Sequence, residues 1–243
     1  MFIFAKKIID MDTEQAAKDK LFNSPESIFN GISKEAKDFL CEHTLCKSYK
    51  KGEMVFVEAS KPGGLISLSD GKVKIFKKGA GGREQIVRLS RPCGFIGYRA
   101  LFAEENYHAS AVAMEPSVAC IIEKSALFYV MKNDPSLTFA ILKSLATELG
   151  VSNTRTVNLT QKHIRGRLAE SLLCLIDTYG FCDDGITMNA QFSRDDLANL
   201  SNMTTSNAIR TLSTFASEGV IALNGRKIKV LDMKMLQKIS NIG

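Results

Sequence analysis

The segment from Phe192 to Asp232 constrains this chain more than any other part, because signals for two short helices, a tight turn and a hairpin follow one another closely there. Ser193 is a good N-cap for the first helix, and Asp196, three positions later, completes a pair that resembles a capping box. Ser201–Met203 is the predicted turn, where Asn202 tolerates a positive φ angle better than most residues other than glycine. The spacing therefore predicts two helices joined by a short turn.

The second helix of this segment has an apolar face and a polar face. Thr204 or Thr205 can cap it, and its predicted inward-facing residues recur at three- and four-residue spacing: Ile209, Leu212 and Phe215 or Ala216. After it, Asn224–Gly225 is a strong signal for a two-residue hairpin turn. Two capped helices, a short turn and a hairpin in this order predict a winged helix-turn-helix, whose partner is duplex DNA.

The polar face of the second helix and the hairpin supply the candidate DNA-binding residues. On a recognition helix the N-terminal side chains meet base edges and phosphates, and arginine is the usual reader of guanine. Basic residues of the hairpin could contact phosphate, although such a run is by itself more often a solvated surface. The predicted DNA-binding residues are Ser193, Thr204, Thr205, Ser206, Asn207, Arg210, Arg226 and Lys227. The alternative is a small helical subdomain with a solvated polar face.

Composition allows one large core or two smaller ones, since the chain has 243 residues of which 45% are hydrophobic. The net charge of +6 favours a nucleic-acid partner only weakly, because the segment from His163 onward holds nine basic and eight acidic residues, a net of +1. The Met1–Ala5 run is too short for a signal peptide, and no stretch approaches a transmembrane span. We therefore expect a cytoplasmic protein without a membrane partner, whose six cysteines are reduced thiols.

The middle of the chain predicts a small antiparallel barrel or roll. From Tyr49 to Lys124, short runs rich in valine, isoleucine and phenylalanine alternate with turns that contain glycine or proline. The leader, residues 1–30, shows no strong period. Ser33–Cys46 then predicts a short helix capped by Ser33.

A long helix follows the predicted roll, with Asp134 as its cap and Pro135 at its first position. Its seam residues are spaced 3, 4, 3, 4 and 3 apart, as in a coiled coil: Leu142, Leu145, Leu149, Ser152, Thr156 and Leu159. We interpret the leucines and Thr156 as dimer contacts, and packing of the seam on the chain's own roll is the alternative. A hinge near Gln161–Gly166 precedes a further helix, which Gly180 ends.

These predictions combine into an α+β fold with three parts. Residues 1–132 comprise the leader and an N-terminal antiparallel β-roll or jelly roll. Residues 133–162 form the dimerisation helix, and residues 163–243 form the C-terminal winged helix-turn-helix domain.

In this order the parts resemble the family of the cyclic-AMP receptor protein and the fumarate-nitrate reductase regulator, the CRP/FNR family of bacterial transcription regulators. Four segments carry the resemblance: Gly71–Phe76 and Gly94–Phe102 in the roll, Arg165–Leu173 after the hinge, and Ser193–Phe215 in the helix-turn-helix. The resemblance implies a cyclic-nucleotide-binding-like roll and a homodimer on a near-palindromic DNA site, with recognition helices about 34 Å apart. It also implies RNA polymerase as a partner if the protein is an activator.

By position, Thr205, Ser206 and Arg210 fall where family members read bases. Arg210 matches the family's usual arginine, whereas Thr205 and Ser206 replace the arginine and glutamate of cyclic-AMP-responsive members. The resemblance therefore leaves the preferred half-site open, with a guanine expected opposite Arg210.

The resemblance also locates an effector pocket, but two key groups differ from those of cyclic-nucleotide responders. Responders hold the ribose with a glutamate after the cassette glycine and the phosphate with an arginine before a serine; the matching pairs here are Gly97–Tyr98 and Ala109–Ser110. Because a buried phosphate without a charged partner is costly to desolvate, we predict no tight cyclic-nucleotide binding.

Other residues near the pocket leave room for an unknown small-molecule effector. Arg99 and His108 could bind a different anion, or Arg99 could pair with a carboxylate such as Glu104. Ser152 and Asn153 match the helix positions that meet the adenine ring in cyclic-AMP responders, although a polar seam position that sets coiled-coil register explains them equally well.

Sensor and enzyme functions of other kinds find less support in the sequence. Cys41–Cys46 includes His43, but its spacing is not a recognised zinc or iron–sulfur pattern, so we predict no metal site and no cofactor. The alternatives are a redox-based or haem-based sensor on the same scaffold, with His43, His108 or His163 as haem ligand, and a cyclic-nucleotide-responsive regulator. No nucleophile elbow, phosphate loop or paired acid–base set is present in the sequence, so we predict no catalytic residues and no enzyme.

Overall fold

The computed structural model describes residues 9–243, apart from the side chain of Ala80. The chain divides into two units, of which the first comprises the residues up to Lys77 together with Val87–Thr147. The second comprises Lys78–Ile86 and Glu148–Gly243. The Met1–Ala5 run lies outside the described residues. Within the described part of the chain, no helix is long and apolar enough to cross a membrane.

Two four-stranded sheets build the roll, which confirms the predicted antiparallel architecture. In chain order the strands are β1 (Thr44–Tyr49), β2 (Met54–Phe56), β3 (Gly64–Asp70), β4 (Val73–Lys78), β5 (Glu84–Ser90), β6 (Phe95–Ile96), β7 (Ser110–Ala113) and β8 (Ser117–Glu123). One sheet has the order β1-β8-β3-β6 and the other the order β2-β7-β4-β5. Successive strands mostly alternate between the two sheets, which is the connectivity of a jelly roll.

Helix α1 (Met11–Asn23) shows that the expectation of a leader without periodic structure was wrong. Asp10 caps α1 by accepting a hydrogen bond from the backbone N–H of Thr13 at 2.8 Å. Its buried residues are Ala17, Leu21 and Phe22, all within the core of the roll. Only part of this helix is apolar, so its pattern is weak in the sequence, and burial against the sheet stabilises it.

Helix α2 (Lys34–Glu42) begins as predicted and ends earlier than predicted. Ser33 caps it through a 3.1 Å hydrogen bond from the N–H of Ala36. The helix stops at Glu42, and the following residues join strand β1 instead of continuing the helix to Cys46. The Thr44 hydroxyl donates to the carbonyl of Leu40 at 2.6 Å, which closes the helix end directly before the strand.

Three further helices complete the part of the chain that precedes the hinge: α3 (Tyr98–Phe102), α4 (Lys124–Asn133) and α5 (Pro135–Gln161). Asp134 accepts a hydrogen bond from the N–H of Ser136 at 3.1 Å, as expected of the cap of α5. With 27 residues, α5 is the predicted long helix. Its first part belongs to the first unit and its second part, from Glu148, to the second.

A disulfide between Cys46 and Cys120 corrects the prediction that all six cysteines are reduced thiols. The two residues lie directly opposite each other on β1 and β8, and their sulfur atoms are bonded at 2.00 Å. Cys120 is fully buried. The pair is separated by 74 positions in the chain, so only strand pairing brings the side chains together. The free cysteines are Cys41, Cys93, Cys174 and Cys182.

The second unit contains the predicted helix-turn-helix and wing. After α5 its elements are α6 (Ile164–Tyr179), α7 (Arg194–Leu200), α8 (Thr205–Ser217), β9 (Ile221–Asn224), β10 (Lys227–Val230) and α9 (Met233–Ile242). Gly180 ends α6 with a φ of 70°, as predicted. Fully or nearly fully buried side chains from α6, α7, α8, β9 and α9 form its core: Leu168, Leu172, Leu197, Leu212, Phe215, Ile221 and Leu236.

Candidate nucleic-acid interface and ligand pocket

The start of α7 is held by the predicted capping box. The Ser193 hydroxyl accepts a hydrogen bond from the N–H of Asp196 at 3.0 Å, and the Asp196 carboxylate accepts one from the N–H of Ser193 at 3.3 Å. In the turn, Asn202 has a φ of 51°, as expected. Thr204 caps α8 by accepting from the N–H of Asn207 at 3.3 Å. These bonds fix the geometry of a helix-turn-helix before any partner binds.

The first turns of α8 present polar side chains to solvent. Ser206 and Arg210 are exposed, whereas Thr205 and Asn207 are half-buried. The Thr205 hydroxyl donates to the Asp195 carboxylate at 2.6 Å, and the Arg210 guanidinium donates to the side-chain oxygen of Asn207. Both bonds restrict the rotamers of the donors, so the face of α8 is partly organised in the free protein.

Ile209 is a correction to the predicted inward face of α8. It is 47% exposed, while the buried stripe consists of Ala208, Thr211, Leu212 and Phe215. Residues 208, 211, 212 and 215 recur at helical spacing, and the residue beside Ala208 is rotated by about 100° from that stripe. The sequence pattern missed this exposed apolar side chain because it assigned Ile209 to the buried stripe.

The wing has a two-residue loop, Gly225–Arg226, between the paired residues Asn224 and Lys227, one position later than the predicted Asn224–Gly225 turn. Gly225 takes a φ of +58°, which suits the primed turns of tight hairpins. Arg226 and Lys227 are both exposed at this tip. The wing therefore offers two cations beside the helix-turn-helix.

Lys229, by contrast, faces an acidic partner within the unit. Its ammonium group lies 3.8 Å from the Asp184 carboxylate. Hydrogen bonds from the hydroxyl and N–H of Thr187, together with the N–H of Ile186 and the charge of Lys229, lower the pKa of Asp184 to about 2. Asp184 thus remains ionised at neutral pH and competes with any phosphate for Lys229.

Arg165 joins the start of α6 to the end of α8. Its guanidinium forms two hydrogen bonds to the Glu218 carboxylate, at 2.8 and 2.7 Å, and lies 5.2 Å from the centre of the Phe215 ring. The hydrogen bonds from Arg165 lower the pKa of Glu218. This bidentate pair ties the C-terminal end of α8 to the start of α6.

The predicted effector segment of the roll forms a tight turn around Gly97. Gly97 has a φ of +72°, and a Cβ there would lie 2.5 Å from Cε1 of Tyr107, so this position requires glycine. Tyr98 begins α3 and lines an apolar cavity of about 20 Å³, and the Arg88 guanidinium lies 4.8 Å from its ring centre. The cavity is lined by Ile28, Leu65, Phe95, Tyr98, Phe102, Ile141, Ser144 and Leu145. It holds about one water-sized molecule.

The two side chains proposed as anion ligands, Arg99 and His108, share one carboxylate. Arg99 lies 2.7 Å from Glu105 and His108 lies 3.1 Å from the same carboxylate oxygen. The hydrogen bond from Arg99 lowers the pKa of Glu105. Glu104, which the sequence offered as a partner for Arg99, pairs with Lys124 at 2.7 Å instead.

The other effector candidates are divided between the two units. Ala109 is half-buried in the roll, and the Ser110 hydroxyl accepts a hydrogen bond from the N–H of Glu58 at 2.9 Å. Ser152 and Asn153 lie in the second unit, where both are exposed on α5.

Helix α5 exposes much of its apolar surface. Its only buried residues are Leu137 and Ile141. The seam residues Leu142 and Leu149 are 59% and 63% exposed. Thr156 is exposed and Leu159 half-buried. Leu145 is half-buried and packs against the core of the roll, so the predicted dimer role of Leu145 competes with a role inside the chain.

The side chains of two of the three histidines have a partner, and the third histidine lies at a helix start. The ring nitrogen Nδ1 of His43 lies 2.8 Å from the carbonyl of Phe39, His108 pairs with Glu105, and His163 is the N-cap residue of α6. Across the described residues, no group of three histidine, cysteine, aspartate or glutamate side chains is placed to hold a metal ion.

Comparison with known proteins agrees with the geometry of both units. Residues 46–134 match the cyclic nucleotide-binding domain, and residues 166–239 match the Crp-like helix-turn-helix domain. The CRP-like cAMP-activated global transcriptional regulator of Mycobacterium tuberculosis is 24% identical over 87% of this chain and 95% of its own length. The cyclic AMP receptor protein of Thermus thermophilus is also 24% identical, over 88% of this chain and 96% of its own.

Solved structures share the fold as well. FixK2 from Bradyrhizobium japonicum superimposes with a TM-score of 0.72 at 22% identity, over 81% of this chain and 96% of its own. A roll of the cyclic-nucleotide-binding type, a long helix and a DNA-binding helix-turn-helix together define a transcription regulator. This class of protein is not enzymatic. The chain belongs to the CRP/FNR family of transcription regulators.

Proposed function

We propose that this regulator acts as a homodimer on a near-palindromic DNA site and that cyclic AMP does not control it. The observation that carries the proposal is the exposed polar N-terminal half of α8, with Ser206 and Arg210 at its surface, on a helix-turn-helix already fixed by the Ser193–Asp196 capping box. In a helix-turn-helix this surface enters the major groove.

Eight residues are the proposed DNA contacts. Arg210 and the side chains at the start of α8 face base edges, while the cations at the wing tip face phosphate. The set is Ser193, Thr204, Thr205, Ser206, Asn207, Arg210, Arg226 and Lys227. Ile209 joins it because its exposed side chain lies beside Arg210 on the same helix.

The exposed seam of α5 supports the homodimer. Leu142 and Leu149 lie seven positions apart and are both more than half exposed, and a second copy of the helix would remove them from water. The proposed division of labour is an effector-type roll in residues 1–132, a dimerisation helix in 133–162 and a DNA-binding domain in 163–243. A DNA-binding role places the protein in the bacterial cytoplasm, with RNA polymerase as a partner if it activates transcription.

Residue identities and ion pairs in the roll support the proposal that it does not respond to cyclic AMP. Tyr98 and Ala109 stand where responders carry a glutamate and an arginine, and Arg99 and His108 are engaged by Glu105. A relative's cyclic-AMP response is therefore not carried over to this chain, and an effector of another kind stays open.

The Cys46–Cys120 disulfide favours one alternative, a redox-based regulator on the same scaffold. The bond joins β1 to β8 within the roll, where reduction would remove a covalent link between the strands. An effect of reductant on DNA affinity would support this alternative.

Selection of bound sites from random DNA tests the proposal. The purified protein is used first without ligand, and we expect a clear inverted repeat. The selected duplex is then titrated with and without cyclic AMP. In a separate experiment it is titrated with and without a reductant. A change in affinity beyond about tenfold with cyclic AMP contradicts the argument from Tyr98 and Ala109. Enrichment of single, unpaired sites contradicts the homodimer.

A further inference from the structure

The turn between α7 and α8 is fastened by side chains from two distant parts of the second unit. The carbonyl of Leu200, at the end of α7, accepts hydrogen bonds from Nη2 of Arg155 at 3.3 Å and from Nε2 of Gln85 at 3.4 Å. The Arg83 guanidinium donates to the side-chain oxygen of Asn202. We call Arg83, Gln85 and Arg155 the turn clamp.

Helix α6 supplies a further partner for the turn, at Ser201, which lies between Leu200 and Asn202. The Ser201 hydroxyl donates to the Ser171 hydroxyl at 2.8 Å, and both serines are buried. All three residues of the turn segment, Leu200, Ser201 and Asn202, therefore have a side-chain partner outside the helix-turn-helix. Few rotations of the turn are compatible with this set of bonds.

Arg155 is the central member of the turn clamp. The same Nη2 atom also donates to the carbonyl of Ile86 at 2.6 Å. One guanidinium therefore bridges the segment Lys78–Ile86, which connects β4 to β5, and the end of α7. The side chain is half-buried, and burial lowers the pKa of its guanidinium, an effect that neighbouring Cys174 opposes. An arginine suits this position because carbonyls in the last turn of a helix lack partners within it and favour a cation.

The covalent connection near the clamp is short. Helix α5 ends at Gln161 and α6 begins at Ile164, so Lys162 and His163 alone join them. A two-residue hinge restricts the direction of the DNA-binding domain less than a continuous helix would, and Nη1 of Arg167 on α6 donates to the carbonyl of Leu159 on α5 across it at 3.2 Å. Arg155 lies on α5, six residues before its end, and therefore links this helix to the helix-turn-helix independently of the hinge.

We propose that Arg155, assisted by Gln85, is a positioning residue that sets the direction of α8 relative to α5 and so selects the spacing between half-sites. The inference rests on the proposed homodimer, because α5 is its interface. In a dimer built on α5, the separation of the two recognition helices follows from how each is attached to that helix. Because the Arg155 guanidinium is bonded to the carbonyls of Ile86 and Leu200, we expect it to act on spacing and to leave the half-site sequence to α8.

The test compares the wild type with Arg155→Met, which keeps an aliphatic side chain and removes the donors. Each protein is titrated with the selected inverted repeat and with the same repeat carrying one additional central base pair. The insertion moves the half-sites apart by about 3.4 Å and rotates them by about 34°. We expect the insertion to weaken wild-type binding by about tenfold or more and Arg155→Met binding by less than about threefold. Lys143→Met removes an exposed cation from the same helix and serves as the matched control. It should behave as the wild type.

The ratio between the two duplexes is independent of the fraction of active protein, so partial misfolding does not imitate the effect. An unchanged ratio in Arg155→Met overturns the inference. If Arg155→Met fails to fold, as judged by thermal unfolding, Gln85→Met gives a smaller relaxation in the same direction, and an unchanged ratio there overturns the inference equally. Selection of single, unpaired sites by the wild type refutes the proposed homodimer instead.

Discussion

Nη2 of Arg194 lies 2.8 Å from the carbonyl oxygen of Gly225, so the first residue of α7 holds the tip of the wing. The bond connects the first helix of the helix-turn-helix to the wing. Because Gly225 and Arg226 form the loop of the hairpin, holding this carbonyl also limits where the cations of the tip can point. The wing is thus positioned by α7 as well as by its own strand pairing.

The two cations at the wing tip should contribute to the salt dependence of DNA binding. Arg226→Ala combined with Lys227→Ala should make the dependence of log affinity on log salt concentration less steep by about 3.6, since each protomer of the proposed homodimer loses two phosphate contacts and each lost contact removes about 0.9. The loss of affinity should be similar on the selected site and on random DNA, because phosphate contacts carry no sequence information. Fluorescence anisotropy over a series of salt concentrations measures both quantities. Lys238→Ala, an exposed cation on α9, is the control and should leave the slope unchanged.

Arg210 should carry sequence preference. Arg210→Ala is expected to weaken binding to the selected site by about 1–3 kcal/mol and to relax the preference at one base pair in each half-site. Its bond to Asn207 orients the guanidinium before binding, so Asn207→Ala should weaken the same preference to a smaller degree. Site selection with each variant provides the measurement. An equal loss on selected and random DNA would identify Arg210 as a phosphate contact.

The dimer prediction uses Leu142 and Leu149 and leaves out Leu145, because Leu145 also packs against the core of the roll. Leu142→Glu with Leu149→Glu should dissociate the protein and abolish high-affinity DNA binding, since charges at seam positions oppose burial. Sedimentation velocity measures the oligomeric state. Leu45→Glu, which changes a leucine that is 65% exposed on β1, is the matched control. A dimer that persists in the double variant would place the interface elsewhere.

The number of free thiols tests the Cys46–Cys120 disulfide against the expectation of six reduced thiols. Unfolded, unreduced protein should titrate four free thiols, and reduced protein six. Cys46→Ser with Cys120→Ser should lower the free energy of unfolding under oxidising conditions by about 2–4 kcal/mol, as expected for a disulfide that closes a long loop. Urea unfolding measures the change, with Cys182→Ser, an exposed free cysteine, as the control. Six titratable thiols in the unreduced protein would refute the bond.

Local signals in the sequence predicted most of the helix-turn-helix correctly. The capping box of Ser193 and Asp196, the positive φ of Asn202 and the cap at Thr204 each depend on residues within a few positions of one another. Such interactions are written directly into the order of residues. Ile209 escaped this reasoning because two faces of α8 both contain apolar residues, and only packing decides which of them is buried.

The sequence by itself determined the succession of roll, long helix and winged helix-turn-helix, because caps, turns and periodicity act over short distances along the chain. Tertiary structure alone decided which distant residues meet: Cys46 with Cys120 across paired strands, and Arg155 with the carbonyl of Leu200. These pairings depend on strand register and on the packing of helices, which no local pattern specifies.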